Sequence, residues 1–213
     1  MGRRIFLSVL FVISLGIPKI AAQDYTMNLT LYREYKPAVV HMANGKEVKT
    51  AFANVFLKNG ALLFKRGDAT MEAKMATVQS VDIGSHHFVK IDNMLAREID
   101  SVGENRLFCI TLIDMDAYMT ILRNDMVITN IDLGDQLSYT TVELTPSEGL
   151  PLPLIRKYYY WWNEQMVPVH EREISRRLPK EKKRMYKTII AMDDFSWVNA
   201  ESLMKLLKAI SEE

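Results

Sequence analysis

The apolar positions divide this chain into three unlike stretches. The first is one apolar run at the start. Arg3 and Arg4 open it, Ile5 to Leu15 is interrupted only by Ser8 and Ser14, and Gly16, Pro18 and Ala21-Ala22 close it. Such a core is too short to span a bilayer, which takes about 20 apolar residues. A basic start, a short apolar core and a small-residue close are the parts of a secretory signal peptide. Residues 1–22 are therefore expected to be removed, although Ile20 stands where a small residue is usual. Gln23 then begins a mature chain placed in the periplasm or outside the cell. No comparable apolar run recurs, so the mature chain is expected to lack a transmembrane segment. No cysteine stands at the end of the leader, which argues against a lipid anchor there.

The second stretch, residues 25 to about 145, reads mainly as strands. Thr26 to Tyr32 alternates polar and apolar residues. Asn59-Gly60 stands between two apolar runs and predicts a type I′ hairpin turn, in which both central residues take positive φ. Lys65-Arg66-Gly67-Asp68 marks the next turn. Val78 to Ile83 and Phe88 to Ile91 continue the pattern, and Leu95–Ile99 with Leu107–Ile113 predict a hairpin around Val102-Gly103-Glu104-Asn105. Asp114 is placed to cap a short helix with Met115, Tyr118, Met119, Ile121 and Leu122 as its apolar positions. Val127 to Leu133 reads as extended again.

The third stretch begins after a breaker zone, Pro146 to Pro153, which holds three prolines and Gly149. Ile155 to Met166 is aromatic and reads as extended. From Pro168 the pattern turns helical: Leu178 closes one short helix and Pro179 suits the first turn of the next. Asn199 is a good N-cap, and Leu203, Leu206, Leu207 and Ile210 fall on one helical face. Strands first and helices last is the α+β order. The expectation is a single α+β domain over residues 23–213: an antiparallel or mixed sheet from the N-terminal two-thirds, covered by C-terminal helices. The boundary candidate within it is 146–153.

Charge narrows the partners. The 213-residue chain has 27 Lys and Arg against 26 Asp and Glu, and three of the cations lie in the leader. A slightly acidic mature chain argues against a general polyanion binder, nucleic acid included. Cys109 is the only cysteine, so no internal disulfide can form, and its apolar surroundings predict a buried thiol.

Short strings resemble a class of short secreted proteins of Gram-negative gut bacteria. They are Phe56-Leu57-Lys58-Asn59-Gly60, Ser80-Val81-Asp82-Ile83-Gly84, Val89-Lys90-Ile91-Asp92 and Leu107-Phe108-Cys109. Asp194-Phe195-Ser196-Trp197 and Ser202-Leu203-Met204-Lys205-Leu206-Leu207 are similar to the C-terminal end of those proteins. The resemblance implies export and brings no activity or catalytic residue with it.

Two constellations remain as binding candidates. Tyr158-Tyr159-Tyr160-Trp161-Trp162 could stack on sugar faces, with Tyr158, Tyr160, Trp161 and Trp162 as the ligand-binding set. On a strand, Tyr158, Tyr160 and Trp162 share one face and Trp161 takes the other, so at least one face must be packed. Residues 170–187 carry eight Lys and Arg against three Glu. Arg172, Arg176, Arg177, Lys180, Lys183 and Arg184 form a candidate patch for an anionic partner, set against the plain reading of a solvated helix face. His86-His87 with Asp82 and Asp92 invites a metal, but adjacent strand residues point to opposite faces, and no third ligand follows at a metal spacing. Asp114 and Asp116 lack the glycine and distal glutamate of a calcium loop. Arg66-Gly67-Asp68 matches a cell-adhesion tripeptide, and also the residues a tight turn wants.

No nucleophile elbow, phosphate loop or metalloprotease helix is present. No catalytic residue, metal or cofactor is therefore assigned. The leading expectation is an exported, non-enzymatic binding or envelope-associated protein. The alternative is a carbohydrate-binding or carbohydrate-active module that uses strand 158–162.

Overall fold

A computed structural model describes residues 29–125 and 152–211 of the chain. The expected leader, the extended reading of 127–133 and most of the breaker zone lie outside the described residues. Ten strands form one sheet: β1 (Lys36–Met42), β2 (Glu47–Val55), β3 (Leu62–Arg66), β4 (Ala69–Glu72), β5 (Val78–Ile83), β6 (His86–Ile91), β7 (Met94–Val102), β8 (Asn105–Ile113), β9 (Leu154–Trp162) and β10 (Gln165–Pro168). Their order is β10-β9-β8-β7-β6-β5-β1-β2-β3-β4, and every pairing is antiparallel. Four helices accompany it: α1 (Met115–Asp125), α2 (Glu171–Arg177), α3 (Lys183–Ile190) and α4 (Ala200–Ser211). The α+β class holds, but the sheet is larger than expected. β9 and β10 come from the C-terminal third, because the aromatic run pairs with β8 along its whole length, from Ile113↔Leu154 to Arg106↔Trp161.

Tight turns make this meander. Asn59-Gly60 is not the expected type I′ turn. Only Gly60 has positive φ (72°), and a four-residue loop closes through Phe56 N to Ala61 O (2.8 Å) and Gly60 N to Phe56 O (2.7 Å). The side chain of Asn59 stabilises this loop by accepting from Ala61 N. The two-residue loops with both φ positive are Asp92-Asn93 and Asn163-Glu164. The second splits the expected extended run 155–166 into the β9–β10 hairpin. The turn read at Lys65-Arg66-Gly67-Asp68 and the hairpin read around Gly103 both form.

The sheet curls. Four strand spacings separate β2 from β7, about 19 Å if the sheet were flat. Yet Leu95 N donates to Gly60 O at 2.8 Å and Ile113 N to Leu57 O at 2.9 Å. The β2–β3 loop therefore folds back onto β7 and β8, and Gly60 is needed there twice over: a Cβ would meet Met94 Cβ at 2.8 Å. Inside the curl, Val40, Ala53, Val55, Leu62, Val78, Val81, Ile83, Phe88 and Leu95 form one core. Asn54, fully buried, ties the incoming chain across the curl. It accepts from Tyr32 N at 3.0 Å and donates to Tyr32 O at 2.8 Å.

The other end of the same face is closed by helices. Leu107, Cys109, Tyr158, Tyr160 and Trp162 pack beneath Ile174, Tyr186, Leu203, Leu206, Leu207 and Ile210. Asn199 caps α4 as expected, accepting from Ser202 N at 2.9 Å. Asp114 likewise accepts from Ala117 N at the start of α1. Pro179 precedes a single 3-10 turn (Lys180–Lys182) instead of standing inside the next helix, so α3 starts four residues later, at Lys183. Among the described residues no helix is long and apolar enough to cross a membrane.

Candidate functional site

The aromatic strand shows what its alternation dictates. Tyr158, Tyr160 and Trp162 face the helices and are buried; Tyr160 has no exposed surface at all. Its hydroxyl donates to Leu203 O at 2.6 Å, and burial pushes its pKa far above the ordinary phenol value. Tyr158 reaches Val198 O at 3.4 Å. Trp161 lies on the opposite face, 36% exposed, paired across the strands with Arg106, whose guanidinium meets Glu98 at 3.1 Å. Of the four rings in the sequence-derived ligand set, Trp161 alone meets solvent as a broad surface. Three rings instead support the helices that carry the basic segment.

That segment is built by α2, the 3-10 turn and α3. Ile174 and Leu178 anchor α2, Tyr186 anchors α3, and the Tyr186 hydroxyl donates to Glu171 O at 3.1 Å. Burial and the nearby Glu171 push the Tyr186 pKa up to about 12. With those apolar positions turned inward, Arg172, Arg176, Arg177, Lys180, Lys183 and Arg184 are all exposed. The structure sorts them. Arg172, Arg176 and Lys183, with His170, Glu171 and Ser175, line one shallow depression between α2 and α3. Arg177 turns away, donating to Gln165 at 3.0 Å and approaching Glu173 at 3.6 Å. Arg176 is also paired with Glu173, leaving its remaining donors available. Lys180 and Arg184 lie outside the depression.

A third grouping spans four strands on the outer face. His41 Nε2 meets Asp82 Oδ2 at 2.8 Å, His87 Nδ1 meets Asp82 Oδ1 at 2.6 Å, and His41 Nδ1 lies 3.4 Å from Glu47. Partial burial would raise the Asp82 pKa, but the hydrogen bonds and charges of the two imidazoles outweigh it and hold the carboxyl below its ordinary range. Ser80 stands directly across from His41. Both imidazole nitrogens of His41 already face carboxylates, so neither is free to take a proton from Ser80, and His41 is not the base of a hydrolytic triad. Among the described residues no group of three or more His, Cys, Asp or Glu is arranged to hold a metal ion. Sequence reading reached Asp82 and His87 but not His41, whose place depends on a pairing between positions 41 residues apart.

His86 points to the inner face, as adjacent strand residues must. There its Nδ1 meets the Tyr32 hydroxyl at 2.8 Å. Burial, with Arg97 and Lys36 nearby, pushes its pKa down. Cys109 is buried and its thiol pKa is raised by that burial, which leaves it a poor nucleophile. No known protein family, curated protein or solved structure matches this chain.

Proposed function

We propose that this is an exported, non-enzymatic binding protein of the bacterial envelope, and that its basic α2–α3 face engages an anionic envelope component. The observation that carries this reading is the convergence of Arg172, Arg176 and Lys183 on one depression. The Glu173 carboxylate serves Arg176 and Arg177 together, so acid does not match base on this face. The apolar run at residues 5–15 supports export. The outer-face His–Asp–His row adjoins no deep pocket among the described residues, so no catalytic role is assigned to it.

The carbohydrate reading has one specific support, the exposed indole of Trp161. A lone ring offers stacking but little of the surface that holds a sugar chain, so this reading stays second.

The test is sedimentation of the mature chain with vesicles of phosphatidylglycerol, against vesicles of phosphatidylcholine. Retention on the anionic vesicles, falling with added salt, is expected. Equal retention on both, or none on either, contradicts the proposal. N-terminal sequencing from an envelope fraction should begin at Gln23; an intact Met1 start in the cytoplasm would remove the export half of the reading.

A further inference from the structure

The curled core and the helix-covered core lie on the same face of the sheet, and two arginines and Thr111 stand in the strip where they meet. Direct register fixes that strip: Phe88 pairs with Arg97, Arg97 with Cys109, Cys109 with Tyr158, and Thr111 with Arg156. Directly paired residues share a face. Arg97 and Arg156 therefore stand on one surface, two strands apart, with only Cys109 and Thr111 between them. Arg97 is half-buried and Arg156 exposed. The nearest carboxylate on this face is the exposed Asp100, paired with Leu107 and accepting from Ser101 N, and neither guanidinium makes an ion pair with another described residue.

A half-buried guanidinium with no ion-pair partner among the described residues is a costly feature unless something else supplies one. The groups beside Arg97 do not. Tyr32 and His86 hydrogen-bond each other, and Lys36 lies over the Tyr32 ring at 4.1 Å, adding positive charge. The strip thus offers two planar forks with the half-buried Thr111 between them, at the edge of the helix-covered core to which Cys109 belongs. Guanidinium forks match the paired oxygens of carboxylate or phosphate.

We propose that Arg97 and Arg156 form an oxyanion-binding site on the inner face of the sheet, over Thr111, which takes the carboxylate or phosphate head of a small ligand. This site is separate from the basic α2–α3 face and does not depend on it. Burial is the larger cause of the lowered His86 pKa and the charges of Arg97 and Lys36 add to it, so a bound anion offsets those charges and links binding to the protonation of His86.

The test uses the mature chain, labelled for NMR, titrated separately with inorganic phosphate and with octanoate. Saturable shifts at the Cys109, Thr111 and Tyr158 amides are expected with at least one probe, and a raised His86 pKa in its presence. Response to phosphate alone identifies a phosphate head; response to octanoate alone identifies the carboxylate of an apolar acid. Arg97→Met and Arg156→Met should each weaken binding about ten-fold or more, the scale of one lost charge-assisted contact. Arg172→Ala/Lys183→Ala should leave it unchanged, which separates this site from the basic face. Exposed Arg156 carries the test alone if the Arg97 variant does not fold. Absence of saturable shifts with both probes, or unchanged affinity in Arg156→Met, overturns the proposal.

Discussion

The two ends of this sheet are closed by different means. The curled end, β1 to β6, is closed by its own backbone. The β2–β3 loop bonds across to β7 and β8, and Asn54 ties down residues 32–34. The other end, β7 to β10, is closed by side chains. Tyr160, Trp162, Leu203, Leu206 and Leu207 bury one another between strand and helix. Closure by backbone depends on single positions with no substitute. Closure by side chains spreads its stability over many contacts and leaves the outer surface of the covering helices free for charge. The candidate binding face lies on that end.

The comparison can be broken by mutation, and the largest effect is expected at the helix-covered end. Trp162→Ala removes a buried ring and should cost about 3–5 kcal/mol, and Leu207→Ala about 2–5 kcal/mol. Chemical denaturation of each variant reads this directly. Adjacent Trp161→Ala should change stability by a small fraction of that, since its ring lies on the solvent side. Equal losses at Trp161 and Trp162 would mean that the strand does not alternate as described.

At the curled end, Gly60→Ala should cost about 1–3 kcal/mol, because the new Cβ meets Met94 and the backbone sits at positive φ. Asn54→Ala strips the Tyr32 backbone of its partners, and about 1–3 kcal/mol is again expected. A curled end that tolerates both variants, with unchanged denaturation midpoints, would show that the backbone does not close it.

The smallest effect is the pH-dependent one. The folded-state pKa of Asp82 is depressed, so its contribution is present above the unfolded carboxyl pKa. It is lost as pH falls through the lower folded value. Asp82→Asn should therefore destabilise near neutral pH by about 0.2–1 kcal/mol, as for exposed pairs. The gap from the wild type should close in acid. Melting curves of both proteins across that range measure it, and a gap that widens in acid would reverse the sign.

What was legible in the sequence follows the same division. The α4 stripe, the Asn199 cap and the alternation of residues 158–162 are local signals, and each describes what formed. The curl was not legible, because it rests on contacts between Gly60 and Leu95 and between Leu57 and Ile113 that no periodicity encodes. The turn at Asn163-Glu164 was missed because glutamate is unusual at positive φ. His41 joined Asp82, and Arg97 joined Arg156, only through strand order.

The buried aromatic strand supports the helices whose outer surface carries the proposed anion-binding face. The measurement that tests it most directly is retention on phosphatidylglycerol vesicles by three folded proteins: the mature chain, Arg172→Glu/Arg176→Glu/Lys183→Glu, and Trp161→Ala. Charge reversal should abolish retention at a salt concentration where the Trp161 variant still binds like the wild type. Retention that survives charge reversal and disappears with Trp161 would contradict it.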